Sequence, residues 1–516
     1  MSPVMAIFTF TNVVVSLLSL YIARRMYWEA TTGSRRRALS KQKGALPCPP
    51  RTSNLPTFLP TFGIDFFIGH LKAIKQKRLL EKWQQDLINA KAHTIAFSFF
   101  GKQLFLTEDP EVVKTILATE FDTWSLGQER IKQLSEFLGI GIFTNEGAAW
   151  KHSREMLRPC FERHQVAEIS HFAKHLDRFI SLLPTDGTTV DLQPLFHELT
   201  LDIATEFLFG RSTDSLKREE KTKEVAEFVD AFEYCSNPLS SEQYAKWGYI
   251  GLLLRDKKRK TSAQIIKDFV DKIVDEELAA KSADPDAKHD RYIFLDELVS
   301  ATSDRTTIRS ELLNILLAGR DTTAALLSNM LFSLSHSPAI LSRLRAEIAE
   351  TVGNEIPTYE QLKDMKYLRA IINESQRLYP IVPSNSREAL KDTFLPRGAG
   401  PDGNAPIFVP KGAYVAYHTY SMHRRPDIFG ADAHIFRPER WLEPGFRPGW
   451  AYIPFSGGPR VCIGQNFALT EVGFVVTRLV QLFEIKGKGD GVWREKLTIT
   501  CTGDGGCNVG LRSREE

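Results

Sequence analysis

Residues 455–464 combine one cysteine, three glycines and a cation in a spacing suited to metal chemistry. Glycine lets a backbone approach a flat ligand and direct amide groups at sulfur, and such donors with a metal would hold Cys462 as a thiolate. Arg460 could pair with an anionic group of that ligand, and Phe455 could keep water from the sulfur. A lone Cys-x-Gly indicates only a buried free thiol. The whole pattern Phe-x-x-Gly-x-Arg-x-Cys-x-Gly, with Gly458 in place, favours a thiolate bound to iron.

Trp150 and Arg154 form a second candidate pair. They lie four residues apart in a helical pattern, so they share one face of the helix. An indole N–H and a guanidinium on one face can bind a carboxylate. Taken alone, the pair would more simply be a buried tryptophan near a surface arginine. Beside the cysteine loop, carboxylate binding is the favoured interpretation.

The sequence Ala-Gly-Arg-Asp-Thr-Thr at 318–323 lies at the centre of a helical pattern over 306–335. A glycine inside a helix costs about 1 kcal/mol relative to alanine, so Gly319 suggests a compensating function. Asp321 and Thr322 beside it could open the helix and hold a water for proton delivery. The alternative is a polar patch on a solvent-exposed face, which the apolar residues on both sides argue against.

Further motifs lie downstream. Glu374 and Arg377 are three residues apart on a predicted helix, and such a pair alone contributes only about 0.2–0.5 kcal/mol. Arg387 follows an apolar, proline-containing segment, and Arg440 lies in the sequence Phe-Arg-Pro-Glu-Arg-Trp.

These motifs, in this order, resemble those of the cytochrome P450 superfamily. The resemblance implies a mainly α-helical fold with a smaller β region, enclosing one haem b. It implies that Cys462 binds the haem iron and that a structural triad braces the cysteine loop, made of Glu374, Arg377 and Arg440. It also implies cofactor contacts from residues on several elements: Trp150, Arg154, Arg387, Phe455, Gly458 and Arg460.

The activity implied by the resemblance is monooxygenation with dioxygen, in which Asp321 and Thr322 help to deliver protons. Electrons would come from an NADPH–cytochrome P450 reductase, with cytochrome b5 as a second candidate donor. A haem-thiolate isomerase or dehydratase is an alternative, but such members commonly lack the acid–alcohol pair. A haem sensor or carrier without turnover would not need that pair either.

Three stretches, 141–154, 318–323 and 395–403, resemble the fungal n-alkane and fatty-acid hydroxylases. This resemblance implies hydroxylation of long-chain aliphatic substrates at a terminal or near-terminal carbon. Related animal enzymes often carry a glutamate that links to haem where this chain has Ala318, so we expect no such ester. Fungal enzymes of secondary metabolism share many of these features, so a polyketide or terpenoid substrate is the alternative. By analogy, apolar side chains would line the pocket: Phe121, Trp124, Leu138, Ile315, Ala318, Ile381 and Val382.

The N-terminal residues 1–46 predict a membrane anchor with a basic linker, and residues 47–516 predict one catalytic domain. A helix over the mostly apolar run 4–23 would be about 30 Å long, enough to cross a bilayer once. Arg24 and Arg25 follow directly, which favours a cytoplasmic body, and we expect location in the endoplasmic reticulum membrane. A cleaved signal peptide would carry its positive charge before a shorter apolar core.

Composition adds limits. The 516 residues carry a formal net charge of +3, which does not indicate a nucleic-acid partner. Six cysteines show no Cys-x-x-Cys spacing, so we expect five reduced structural thiols besides Cys462.

The hydrophobic periodicity predicts the elements that position these motifs. It predicts a helix over 71–92 and two short strands over 93–107 that turn at Gly101. The aromatic segment 121–143 is predicted to be irregular. Amphipathic helices are predicted over 172–277, with an irregular aromatic stretch at 232–254 over the substrate.

Overall fold

Helices form most of the chain and short strands a smaller part, as predicted, in a computed structural model that describes residues 3–52, 63–99, 102–162, 169–217, 222–237, 256–283 and 292–514. The helices, numbered in chain order, are α1 (Pro3–Trp28), α2 (Ser34–Gln42), α3 (Ile64–Lys75), α4 (Leu79–Ala90), α5 (Pro110–Lys114), α6 (Gln128–Leu138), α7 (Gly147–Leu157), α8 (Ser170–Ser181), α9 (Leu192–Phe209), α10 (Lys223–Ser236), α11 (Lys257–Ala283), α12 (Phe294–Ala301), α13 (Arg305–Ser335), α14 (Pro338–Thr351), α15 (Tyr359–Asp364), α16 (Lys366–Leu378), α17 (Thr419–Met422), α18 (Pro426–Phe429) and α19 (Gln465–Leu482).

The strands are β1 (Thr94–Phe99), β2 (Lys102–Thr107), β3 (Trp124–Ser125), β4 (Asp186–Asp191), β5 (Asn385–Ala389), β6 (Thr393–Ala399), β7 (Ala405–Val409), β8 (Tyr414–Tyr417), β9 (Phe483–Gly487), β10 (Glu495–Leu497), β11 (Cys501–Gly503) and β12 (Asn508–Ser513). The largest sheet has the order β1-β2-β8-β5-β3, in which β2 and β8 are parallel and the other neighbours antiparallel. A second sheet has the order β4-β12-β9, and β6 pairs with β7 and β10 with β11.

The long helix α13 lies in the main hydrophobic core and packs against α9 and α19. Its N-terminus is capped by Asp304, whose carboxylate accepts from the amides of Thr306 and Thr307. It ends shortly before Pro338, where a proline disfavours continued helix. The observed bounds differ by one residue from the predicted 306–335.

Some predicted elements differ from the structure. The helix predicted over 71–92 is divided into α3 and α4, because Lys77 adopts a left-handed conformation with a φ of +56°. The prediction that 121–143 is irregular is wrong, since it contains α6. Apolar Ile131, Leu134 and Leu138 recur there at helical spacing.

The strand prediction over 93–107 is confirmed by the antiparallel pair β1–β2, and α8–α11 confirm the helical middle of the chain. Strand β4 interrupts that region because it pairs with β12 from the far end of the chain, which local periodicity cannot reveal. Gly101 and residues 238–254 of the predicted irregular stretch lie outside the described residues.

Helix α1 forms where the sequence predicts the anchor, and its apolar side chains Leu17 and Leu20 are 62% and 67% exposed. The following linker docks on the β6–β7 hairpin. Arg36 donates to both carboxylate oxygens of Asp392, at 2.8 and 3.0 Å, and the Leu46 amide donates to the Pro406 carbonyl at 3.0 Å. In the described part of the chain no single helix is long and apolar enough to cross a membrane, whereas α13 and α14, bent by 110°, meet that requirement together.

All six cysteines are free thiols. Burial raises the pKa of Cys48 to about 12 and the pKa values of Cys160 and Cys235 to about 11. Burial also raises the pKa values of Cys501 and Cys507. These raised pKa values favour the protonated thiol, in agreement with the prediction of five reduced structural cysteines.

The predicted triad of Glu374, Arg377 and Arg440 is confirmed, and all three side chains are buried. Arg377 donates to both oxygens of Glu374, at 2.8 and 2.9 Å, and Arg440 Nε donates to Oε1 at 3.0 Å. Trp441 Nε1 donates to Oε2 at 3.0 Å. This network joins α16 to the segment that leads into the cysteine loop. There, Tyr452 donates its hydroxyl to the Asn373 carbonyl at 3.0 Å.

Substituting Glu374→Gln should destabilise the protein strongly, because it leaves two buried guanidinium groups without their carboxylate. The expected loss in the free energy of unfolding is about 3–5 kcal/mol. Urea unfolding followed by tryptophan fluorescence measures it. The matched control is Asp490→Asn, which removes an exposed ion pair with Arg494 and should change stability little. Equal effects of the two substitutions would contradict the structural role of the triad.

Candidate active site

The cysteine loop is closed by its own backbone. The Cys462 amide donates to the Phe455 carbonyl at 2.9 Å, and a 3-10 turn over Gly458–Arg460 lies between them. Ser456 takes a φ of +63°, which lets the chain reverse within a few residues. This closure fixes the cysteine relative to α19, which follows the loop in the chain, and to α7, which contacts the loop through Arg154.

Gly458 is required by a packing contact within the protein. Its φ is +67°, and a Cβ at this position would lie 1.9 Å from the Leu117 carbonyl oxygen. The π-helical turn Thr115–Thr119, which packs against one side of the loop, therefore leaves no space for a side chain. This contact alone requires glycine. This packing contact is a second reason for glycine at this position, and the approach of a flat ligand to the loop stays a prediction.

The Cys462 side chain is exposed, yet its surroundings raise the pKa of the thiol by desolvation. The Gly464 amide and the Arg154 guanidinium act in the opposite direction and favour the thiolate. The Cys462 thiol is thus accessible but closely surrounded by protein, as expected for a side chain that lines a recess. Such a position suits a ligand to a cofactor-bound metal.

Helix α7 places Trp150 and Arg154, which the spacing predicts to share a helix face, against this loop. Arg154 Nη1 donates to the Val461 carbonyl at 2.9 Å. The Arg460 guanidinium lies over the Trp150 ring at 4.5 Å, and that of Arg154 lies 6.0 Å from it. Trp150 itself is buried. The indole ring thus lies close to two cations beside the cysteine loop.

A further cation, Arg130 on α6, joins this group and was missed by sequence reasoning. Arg130 Nη1 donates to Asn385 Oδ1 at 2.7 Å, and Arg387 Nη1 donates to the same oxygen at 3.3 Å. Burial and neighbouring cations lower the pKa values of Arg130 and Arg460 to about 10. The helical periodicity of α6 could have revealed the helix, but not the contact of Arg130 with Asn385, which lies far away in the chain.

We call Arg130, Arg154, Arg387 and Arg460 the arginine cluster. Among the described residues none of the four forms an ion pair with a carboxylate; their donors bond to Asn385 Oδ1 and to backbone carbonyls. Glu146 attracts Arg460, but its oxygens accept from the Ser125 hydroxyl and the Leu126 amide, at 2.9 and 2.6 Å. Desolvated cations need anionic partners. The cluster therefore fits a ligand with carboxylates beside a thiolate-bound metal, which is the chemistry of haem.

Helix α13 carries a half-buried strip next to otherwise buried residues. From Ser310 to Ser335, the half-buried positions are Ala318, Gly319, Thr322 and Phe332. The first three share one helix face, so this face borders an accessible space. A Cβ at Gly319 would meet Ala204 at an ordinary 3.7 Å, so packing does not require the glycine.

The expectation that α13 opens near Gly319 is wrong, because the helix continues without interruption. Thr322 Oγ donates to the Ala318 carbonyl at 2.5 Å, within the helix. Asp321 accepts from Arg320 Nη1 at 3.1 Å, and its Oδ1 lies 3.8 Å from His197 Nδ1. Burial raises the pKa of Asp321, which favours its protonated form. The acid and the alcohol thus bond to different partners.

The predicted pocket-lining residues are distributed over several environments. Phe121 lies with its ring 5.5 Å from that of Trp150. Leu138, Ile315 and Ile381 belong to the main core. Two others lie apart from it: Trp124, in the core of the largest sheet, and Val382, which is 41% exposed.

Comparisons with known proteins agree with this geometry. A family model for cytochrome P450 matches residues 57–500, which contain the motifs described above. Cytochrome P450 monooxygenase himC of Aspergillus japonicus is 41% identical over 458 residues, covering 87% of this chain and 81% of the relative. Cytochrome P450 monooxygenase FPY7 of Fusarium mangiferae is 38% identical over 516 residues, covering 97% and 96%. Cytochrome P450 52A1 of Candida tropicalis is 45% identical over 440 residues, covering 81% and 80%.

Substituting Cys462→Ala should abolish the thiolate-type absorption band of the reduced carbon monoxide complex, because it removes the thiol that lies beside the arginine cluster. Difference spectroscopy of the purified protein measures the band. Cys160→Ala, at a buried thiol, is the matched control and should keep it. Retention of the band in Cys462→Ala would show that another group binds the iron.

Proposed function

The chain belongs to the cytochrome P450 family of haem-thiolate monooxygenases, and on that premise we propose that it hydroxylates long aliphatic chains. The substrates are long-chain fatty acids or n-alkanes, oxidised at or next to the terminal carbon. Dioxygen is the co-substrate. The electron donor is an NADPH–cytochrome P450 reductase, with cytochrome b5 as a second candidate.

The observation that carries the substrate class is the resemblance of 141–154, 318–323 and 395–403 to the fungal alkane and fatty-acid hydroxylases. The accessible strip of α13 supports it, since Ala318 and Gly319 are small and leave space for a narrow chain. Each methylene buried against apolar side chains contributes about 0.8 kcal/mol, so affinity should rise with chain length until the space is full. Oxidation at the chain end requires that a narrow passage hold it in place.

The residues of the site take separate roles in this proposal. Cys462 binds the iron, and the arginine cluster binds the carboxylates of the cofactor. Bound haem supplies the activation of dioxygen and the oxidation of an unactivated C–H bond. Burial raises the pKa of Asp321 and so favours the protonated carboxyl group, from which a proton can be delivered. The Thr322 hydroxyl, on the accessible strip, can exchange its bond to the Ala318 carbonyl for one to a water or substrate.

Helix α1 serves as the single membrane anchor in this proposal, with the catalytic domain on the cytoplasmic side of the endoplasmic reticulum. The exposed apolar side chains of Leu17 and Leu20, and the arginines at 24 and 25 behind them, support this assignment. An anchored enzyme meets long aliphatic substrates where they dissolve, in the bilayer.

A second candidate function is oxidation of a polyketide or terpenoid secondary metabolite. The observation that favours it is that fungal enzymes of secondary metabolism share many of the same sequence features. The haem chemistry and the proton-delivering residues would be identical, so the two candidates differ only in the shape of the substrate pocket.

Substituting Thr322→Ala should retain haem and substrate binding but lower the product formed per NADPH consumed by roughly tenfold or more, because a hydroxyl that moves protons is lost. The missing electrons should appear as hydrogen peroxide. Thr322→Ser, which keeps the hydroxyl, is the matched control and should stay near the original ratio. An unchanged ratio in Thr322→Ala would place the proton route elsewhere.

Incubation of the enzyme and its reductase with fatty acids and n-alkanes of increasing chain length tests the substrate class. We expect turnover to rise with length to an optimum, with the hydroxyl at or next to the terminal carbon by mass spectrometry. Hydroxylation spread along the chain would contradict a narrow passage. No turnover in this series, together with turnover of a polycyclic or polyketide substrate, would favour the second candidate.

A further inference from the structure

The loop at 139–145 connects the long helix α13 to the arginine cluster. We propose that Glu311 and Asn314 on α13 are positioning residues, which hold this loop against Arg460 and thereby retain the haem. The proposal rests on the proposed role of Arg460 in cofactor binding and is independent of the substrate.

Two successive backbone amides of the loop donate hydrogen bonds to side chains on one face of α13. The Ile142 amide donates to Glu311 Oε2 at 3.1 Å, and the Phe143 amide donates to Asn314 Oδ1 at 3.0 Å. Asn314 Nδ2 also donates to the Leu138 carbonyl at 3.2 Å, at the end of α6. Glu311 and Asn314 are both buried. Buried amides and carboxyls need such partners, so these contacts set where the loop can lie.

Glycines let the loop come this close to the helix. A Cβ at Gly141 would lie 2.5 Å from Asn314 Nδ2, and 3.0 Å from Glu311 Oε2. A Cβ at Gly139, whose φ is +72°, would lie 2.3 Å from Ser310 Oγ. The backbone therefore lies in direct contact with side chains of α13 over several residues.

The carbonyl groups of the same loop hold the cation. Arg460 Nη2 donates to the Asn145 carbonyl at 2.8 Å, and its Nη1 donates to the Ile142 carbonyl at 3.4 Å. Ile142 is thus bound through its amide to Glu311 and through its carbonyl to Arg460. A displacement of the loop away from α13 would move both acceptors of the guanidinium.

The chemistry of Glu311 supplies a matched control. Burial raises the pKa of this carboxyl, while the Ser153 hydroxyl and the Ile142 amide act in the opposite direction. A neutral amide of the same shape can still accept from the Ile142 amide. Glu311→Gln should therefore keep the loop in place, whereas Glu311→Ala should release it.

The test measures haem transfer from the holoenzyme to excess apomyoglobin. Glu311→Ala and Asn314→Ala should each release haem about three- to tenfold faster, the effect expected for loss of one or two hydrogen bonds. Amide hydrogen exchange at Ile142 and Phe143 should accelerate in parallel. Glu311→Gln should stay near the original rate. So should Ser328→Ala, which removes a buried hydroxyl elsewhere on α13 that donates to the Ala324 carbonyl.

A double-mutant cycle distinguishes positioning from general destabilisation. If Asn314 acts through Arg460, Asn314→Ala combined with Arg460→Gln should release haem no faster than Arg460→Gln alone. Multiplicative effects would show that the two residues act independently and would overturn the proposal. An unchanged rate of haem release in Asn314→Ala would also overturn the proposal. This variant keeps the proposal testable if Glu311→Ala does not fold. Either result leaves the chain-length experiment unaffected, so the two proposals fail separately.

Discussion

The rest of the site depends on one constraint: the cations of the arginine cluster are desolvated and form no ion pair with a carboxylate of the described residues. Burial and mutual repulsion lower the pKa values of Arg130 and Arg460, so the fold keeps these cations close together at a free-energy cost. Backbone carbonyls that accept from Arg154 and Arg460 offset part of that cost, and a bound anion would offset more. In the proposed function, a cofactor with two carboxylates would stabilise the fold through the same contacts by which the fold binds it.

In the triad, by contrast, the buried arginines are paired with a carboxylate of the protein itself. Glu374 compensates Arg377 and Arg440 internally, and backbone carbonyls satisfy their remaining donors: Arg377 also donates to the carbonyls of His423 and Ala433. The triad is therefore complete without a ligand, whereas the arginine cluster is not. The triad stabilises the segment that leads into the cysteine loop, whereas the arginine cluster is proposed to bind the carboxylates of haem.

Much of this site could be predicted from the sequence because its signals are local. The spacing of Arg460 and Cys462, and the four-residue step from Trp150 to Arg154, are readable without knowing the fold. Contacts between distant segments were not readable. The reason for Gly458 lies at the Leu117 carbonyl, and the place of Arg130 depends on Asn385, so neither follows from its own neighbourhood. Local reasoning also failed at Gly319, because a polar sequence beside a glycine does not interrupt a helix that is packed along most of its length.

The shared acceptor at the start of β5 has a consequence for selectivity. Asn385 Oδ1 accepts from Arg130, Arg387 and the Ser386 amide, so a single oxygen organises two cations and a strand. An aspartate could accept the same bonds, but its charge would neutralise part of the field that the guanidinium groups generate. Because asparagine is uncharged, that electrostatic potential remains directed at the ligand. If the arginine cluster binds the carboxylates of haem, as proposed, the uncharged Asn385 preserves the preference of the site for a dianionic macrocycle over a neutral flat molecule of similar size.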